Sequence, residues 1–414
     1  MTAIDLLVTN GTVVTMDAND TIVAGGAVAV VGDAIADIGP AKKFRKRPAA
    51  RTIDAKGGII MPGLINTHTH ASMTCFRGLA DDLELATWLN DHIFPAEARL
   101  THEMVYAGAM LACAEMILSG TTCFKDMYLF ENAVAQAAHD AGMRAVVGEV
   151  LYDFPSPNYG PLDQGFAYTE NLIQKWQHHP RITIAVEPHS PYLCAPGLLI
   201  RAARLAERHH IPLAIHVSET VDEVARVTEK YKKSPVAHLA DLGVLSPRLV
   251  ACHCVVLSDH DIRLLKENNV KVSHNPESNM KLASGIARVP DLIDAGICVG
   301  LGTDGCTSNN NLDMFAEMDT AAKIHKVFRL DPTVMDARTV VRMATIRGAE
   351  VLGMGDMTGS LEKGKKADLI VIDIQKPHLT PMYNVYSHLV YAAGGSDVAA
   401  SVINGRVVME DRRL

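Results

Sequence analysis

A chain of 414 residues with 48% hydrophobic content can bury one large core, and its length suits a big barrel with an accessory domain better than several small modules. The formal net charge of −8, with acidic and basic residues interspersed, leaves no basic stripe for phosphate backbones and excludes nucleic acid as an expected partner. No apolar run approaches the roughly 20 residues that span a bilayer, and MTAIDLLVTNG lacks the basic start and apolar core of a signal peptide, so no membrane association and a cytoplasmic location are expected. The eight cysteines stand singly apart from Cys252 and Cys254, which fits reduced core thiols better than a disulfide frame or a zinc ribbon.

Residues 1 to about 60 read as β: DLLVTNGTVVTM and TIVAGGAVAVVGDAIADIG are rich in Val and Ile and broken by Asn-Gly, Gly-Gly and Gly-Asp turn signals. The same character returns at 366–374 (KADLIVIDI) and 400–411 (ASVINGRVVMED), where Asn404-Gly405 marks a hairpin. The two termini are therefore expected to build one small β-sandwich, 1–60 with 361–414, around an inserted domain at 61–360.

Within the insert, short apolar strands alternate with helical stretches. The strands are predicted at 59–66, 121–126, 144–149, 182–187, 212–216, 249–252, 270–273 and 298–303. Helices are predicted at 102–118, 131–141, 197–208, 220–230, 258–268 and 311–328. Eight such units predict an α/β fold, a (β/α)8 TIM barrel, whose chemistry sits at the C-terminal strand ends.

Those ends carry a pattern. His68 and His70 lie two apart on the first strand and so face the same side; Glu187, Pro188 and His189 follow the fourth, His216 ends the fifth, His253 and His274 follow the sixth and seventh, and Asp304 follows the eighth. One histidine of this kind is more often a packed core residue than a ligand, but recurrence at five strands is an improbable coincidence. Imidazoles from His68, His70 and His216 with the Asp304 carboxylate make a suitable shell for Zn2+ or Fe2+ that leaves a position open for water. Glu219, three residues beyond His216, is either a helix-start carboxylate or a proton shuttle, and His253 either contacts the activated water or orients a ligand. His178, His179, His209 and His210 read as solvated surface.

The segments PGLINTHTHASM, IHVSET, HCVVL, SHNPESNMKLASGIA and GTDGCTSNNNLDMF, in this order, resemble the amidohydrolase superfamily in its branch of aminohydrolases and chlorohydrolases. Within it the sequence is most similar to the 5-methylthioadenosine/S-adenosylhomocysteine deaminase family, over essentially the whole chain. The resemblance implies a single metal ion held by His68, His70, His216 and Asp304, with Glu219, His253 and Asp304 catalytic and Glu97 and His189 on the substrate. It places Trp88 against the nucleoside and implies a homo-oligomer. Binuclear members of the superfamily carry a bridging lysine on strand four, where this chain reads AVEPH, so one metal is expected. Between strands three and four, where such deaminases present an arginine, no Arg or Lys occurs from Leu151 to Gln174; this loop, 152–168, suits an apolar 5′ group.

Spacing alone would make Glu97 an exposed helix start and Trp88 a core residue; with the resemblance, Glu97 accepts hydrogen bonds from two ribose hydroxyls and Trp88 is a stacking face. His274 and Asn275 either close the mouth of the barrel or contact the purine and are left unassigned between the two, and Ser308 with 309–311 is expected to cap a helix from 312. The expected reaction is hydrolytic deamination of an adenine nucleoside at C6, with Glu219 delivering a proton to N1 and His253 and Asp304 orienting the water and taking its proton. The alternatives are an amino- or chlorohydrolase acting on guanine, a pterin or a triazine, and a non-catalytic relative on the same scaffold.

Overall fold

Gly63 divides what reads as one strand at 59–66 into two. A Cβ there would lie 2.1 Å from the Thr122 side chain, so only glycine lets the chain leave one sheet, Ile59–Pro62, and enter another, Leu64–Thr69. The computed structural model in which this is seen describes residues 3–83 and 87–414. Met1 and Thr2, at the start of the expected β region, lie outside the described residues.

Leu64–Thr69 opens a ring of parallel strands, continued by Thr121–Tyr128, Arg144–Leu151, Ile182–Ile184 with Glu187–Pro188, Leu213–Val217, Leu249–His253, Lys271–His274 and Val299–Leu301. Continuous ladders join the first four and the last four. One seam closes through a parallel bridge between Val186 and Leu213. The other closes through polar contacts: Asp304 N donates to His68 O at 2.9 Å, Thr67 Oγ1 to Leu301 O at 2.9 Å, and Asn66 Nδ2 to Thr303 Oγ1 at 2.7 Å. The strands are buried on both faces, as helix-covered parallel strands must be.

The helices have local causes. Thr101 accepts from Met104 N and starts His102–Leu118; Gly142 in the left-handed region ends Glu131–Ala141; Ser258 and Asp261 form a capping box on Asp259–Glu267. Two expectations need correction. Residues 152–168 are not all loop, because a helix begins at Leu162 and runs to Trp176. The helix expected from 312 is Met314–Arg329, capped by Asp313 rather than by residues 308–311.

The termini share one sheet. Ile4–Val14, Ile22–Val31, Ala34–Pro40, Ala49–Asp54 and Ile59–Pro62 join Leu369–Ile372, Val398–Ile403 and Arg406–Glu410, with Ile59–Pro62 antiparallel to Leu369–Ile372. The sheet curls over one apolar cluster to which Leu6, Val28, Ile35, Leu369 and Val402 all contribute. The β-domain built from both ends of the chain is therefore present as a single eight-stranded sheet.

Candidate active site

The strand ends converge on one pocket, lined among others by Trp88, Glu97, His189, His216, Glu219, His253 and Asp304. His70 Nε2 lies 3.1 Å and His68 Nε2 3.5 Å from the same Asp304 oxygen, Oδ1. The candidate ligand atoms of His68, His70 and His216 lie within 4.8 Å of one another, and so do those of His68, His253 and Asp304. Ser218, His253 and Asp304 all carry positive φ, at 52°, 72° and 60°. Such backbone is uncommon outside glycine and clusters where side chains must be aimed.

The outer nitrogens are already committed. His216 Nδ1 donates to His189 O at 2.8 Å and His70 Nδ1 donates to Met127 O, which leaves each Nε2 for the pocket. Both ring nitrogens of His68 are buried with no hydrogen-bond partner among the described residues. An imidazole that desolvated needs a partner, and a cation at the convergence point supplies one. Burial holds His68 and His216 well below the ordinary histidine range, so both are neutral donors. Burial opposes the charge on Asp304, yet the imidazoles of His68 and His70 hold its carboxyl well below the usual range. Burial opposes the charge on His70, but the Asp304 carboxylate outweighs it and raises that imidazole above the ordinary range. Three imidazoles, His70 giving up its proton to a bound cation, with one anionic oxygen fit a divalent metal ion.

Around this centre stand the remaining predicted residues. Glu219, pushed up to about 8 by burial and by the charge of Asp304, has its Oε2 3.9 Å from His253 Nε2. Burial lowers His253 to about 4 and His189 to about 3. Glu97 ends the short helix Phe94–Glu97, and burial pushes it to about 7, with the Tyr128 phenol opposing. Trp88 is both buried in the core and on the pocket wall.

His274 is not at the mouth. It is buried, with its Nε2 3.1 Å from His325 Nε2.

Several groups in the site went unnoticed in the sequence. Glu223 reaches back to accept from Ser218 N at 3.0 Å and Glu219 N at 2.7 Å, fixing the turn that bears Glu219. Ser308, expected as a cap, donates to Asp304 Oδ2 at 2.8 Å. Tyr128, Tyr152 and Phe94 line the pocket, and Tyr152 stacks on Phe154 with centroids 3.9 Å apart. For Glu223 a signal was present: Thr220 with a glutamate three residues on reads as a helix start, and Thr220 does cap Val221–Tyr231.

The Amidohydrolase family pattern matches residues 59–408. The chain is also 61% identical over 99% of its length to a 5-methylthioadenosine/S-adenosylhomocysteine deaminase of Syntrophobacter fumaroxidans, covering 94% of that protein. The chain belongs to the amidohydrolase family. This amidohydrolase is 47% identical to a 5′-deoxyadenosine deaminase of Methanosarcina mazei, over 99% of the chain and 94% of the relative. Among solved structures it superposes with a TM-score of 0.98 on an adenosine deaminase of Xanthomonas campestris with bound zinc, at 40% identity over 100% of this chain and 94% of that one. An atrazine chlorohydrolase of Arthrobacter aurescens shares the fold at a TM-score of 0.91 and 24% identity, over 99% and 96% of the two chains.

Proposed function

We propose that this amidohydrolase deaminates adenine nucleosides hydrolytically: water adds to C6 of the purine, the C6–N bond breaks, and the inosine analogue and ammonia are released. The observation that carries the reading is the convergence of His68, His70, His216 and Asp304 with Glu219 and His253 in one pocket. The names of the relatives, at 61% and 47% identity, support the substrate class. His68, His70, His216 and Asp304 would hold one divalent ion, with zinc the proposed identity on the strength of the Xanthomonas structure. When bound, the ion supplies Lewis acidity that makes water nucleophilic near neutral pH.

The chain's own groups do the rest. Glu219, raised to about 8, carries a proton at neutral pH and delivers it to purine N1, which weakens the ring's resistance to attack at C6. His253 orients the attacking water, and Glu219, once it has given its proton to N1, takes up one from the water for the leaving ammonia. Glu97 accepts from the ribose hydroxyls, His189 contacts the base, and Trp88 covers it, so that a nucleoside is held better than a free base. Leu129, Val150 and Tyr152 give the wall near Glu97 an apolar character, and no lysine or arginine lines the described pocket. We therefore assign it nucleosides with a small uncharged 5′ group in preference to one carrying an amino-acid tail.

The same reading makes the enzyme a cytoplasmic homo-oligomer, divided into a composite β-domain and a barrel; the expected boundary after residue 60 moves to Gly63, because Ile59–Pro62 pairs within the terminal sheet. No helix among the described residues is long and apolar enough to cross a membrane.

The test is ammonia release from adenosine, 5′-deoxyadenosine, 5′-methylthioadenosine, S-adenosylhomocysteine, guanine and a chlorotriazine. Turnover is expected on the adenosines, with S-adenosylhomocysteine at least tenfold lower in kcat/KM than 5′-deoxyadenosine. Silence on every adenosine from metal-loaded protein would move the activity to another ring. Glu219→Gln is expected to abolish turnover with the metal content unchanged by elemental analysis.

A further inference from the structure

The helix Pro276–Lys281 follows the seventh barrel strand and presents two consecutive side chains to two different groups of the site. Ser278 Oγ donates to Asp304 Oδ2 at 2.6 Å, and the Asn279 side-chain amide nitrogen lies 3.0 Å from His253 Nδ1. All four residues are buried, Ser278 completely. Ser308 Oγ, from the loop after the eighth strand, meets the same Asp304 oxygen. Asp304 thus has one oxygen, Oδ2, taken by two hydroxyls and the other, Oδ1, turned to the imidazoles of His68 and His70. The His253 ring is held at Nδ1 by Asn279 and, at 3.3 Å, by the Asn275 side-chain amide, which leaves Nε2 toward Glu219.

We infer that Pro276–Lys281 is a positioning element with two separable effects: Ser278, with Ser308, sets the Asp304 carboxylate for the metal, and Asn279 sets the His253 ring for the reaction. The separation follows from geometry. A carboxylate whose far oxygen is fixed by two donors cannot rotate away from the ion its near oxygen faces, and groups that orient ligands in this way affect metal affinity by about 10–100-fold. Asn279 touches none of the four assigned ligands, His68, His70, His216 and Asp304, and shares His253 Nδ1 with Asn275, so its loss removes the nearer of the ring's two amide partners and leaves the ion's shell intact. The inference rests on Asp304 as a ligand and His253 as a reacting group.

Its test compares Ser278→Ala/Ser308→Ala with Asn279→Ala in the full-length zinc-loaded enzyme. Zinc affinity is measured by competition with a chelating dye, and kcat is measured at saturating zinc. The serine variant is expected to lose 10–100-fold in zinc affinity and to recover kcat to within a few-fold when zinc saturates. The asparagine variant is expected to keep zinc affinity within twofold and to lose at least tenfold in kcat. Damage to the helix as a whole would move both readouts in both variants, and that result, or no change in either, overturns the inference. Should the double serine variant fail to fold, Ser308→Ala alone removes one donor from outside the helix and must still weaken zinc binding. Asp304→Ala separates the layers: undiminished zinc affinity there sinks the ligand reading itself, whereas inert serine and asparagine variants sink only the positioning role.

Discussion

Glu97 shows how one residue changes meaning with its surroundings. In sequence it is a carboxylate after Pro95 in an ordinary helix start; in the structure it faces a pocket, and burial pushes it up to about 7 while the Tyr128 phenol works in the opposite direction. As a ribose contact it accepts hydrogen bonds, and charge-assisted bonds of this kind are worth about 1.5–3 kcal/mol each. The neutral acid accepts more weakly. Because the raised pKa belongs to the protein, the ionised form predominates above about pH 7 and is lost as pH falls through it. The KM for 5′-deoxyadenosine is accordingly expected to rise as pH drops from 8 to 6. In Glu97→Gln it should be at least tenfold higher at pH 8 and flat across that range, which steady-state kinetics would show. An unchanged pH profile in the variant would remove Glu97 from the ribose.

At the scale of elements, the barrel interior beneath the site is set by three neighbouring strands. Lys125 on Thr121–Tyr128 and Glu187 after the fourth strand are fully buried and approach to 3.3 Å. Gly148 on the strand between them makes this contact reachable, because a Cβ there would meet Glu187 Cγ at 2.5 Å. Removing one partner of a buried ion pair costs about 3–5 kcal/mol when the other stays charged, while replacing both with apolar groups is often neutral. Burial pushes Glu187 up to about 8 even beside Lys125, so without the lysine it takes a proton near neutral pH. Lys125→Met is therefore expected to destabilise by less than that amount at pH 7 and by more as pH rises above 8 in urea titration, and Lys125→Met/Glu187→Met to recover most of the loss. A double variant as unstable as the single one would show that packing around the side chains, not the charge, governs the site.

This pair also marks where sequence reading stops. The strand-end residues His68, His70, His216, His253 and Asp304 were legible because strand periodicity and barrel topology together say where such residues point. Lys125, Ser278 and Asn279 were not, since what identifies them is the side chain they meet far away in the chain. The break at Gly63 was hidden inside a continuous apolar run, because nothing local to IIMPGLIN says that it spans two sheets. The helix Leu162–Trp176 was obscured by the Pro-, Gly- and Asp-rich stretch that precedes and enters it. His274 illustrates the reverse error: a strand-end position can also turn a histidine outward into packing, where it meets His325.

On the scale of the whole molecule, the question is why a barrel should be closed off by a sheet drawn from both ends of the chain. The structure ties the two at the base of the site's first strand. Gly63 N donates to Asp368 O at 3.1 Å, just where the chain passes from the terminal sheet into the strand that carries His68. The Asp368 side chain takes Arg144 Nε at 2.8 Å and Asn404 N at 2.7 Å, and Arg144 also donates to Pro180 O at 3.1 Å and Asn404 Oδ1 at 3.1 Å. Arg144 begins the third barrel strand, Asp368 immediately precedes a strand of the terminal sheet, and both are buried. Burial works against the Arg144 charge, but Asp368 outweighs it and raises the guanidinium further. Arg144→Met leaves Asp368 buried without its main counter-charge and is expected to destabilise the protein by about 3–5 kcal/mol. The loss should appear as a lower urea midpoint for the whole chain in a single transition, because the contact joins both parts of the molecule. It should also reach the site: zinc affinity should fall along with stability, since the strand bearing His68 and His70 starts from this anchor. A variant that unfolds in two steps, with the barrel and its zinc affinity intact after the first, would show instead that the terminal sheet is an independent attachment and that the barrel holds its site alone.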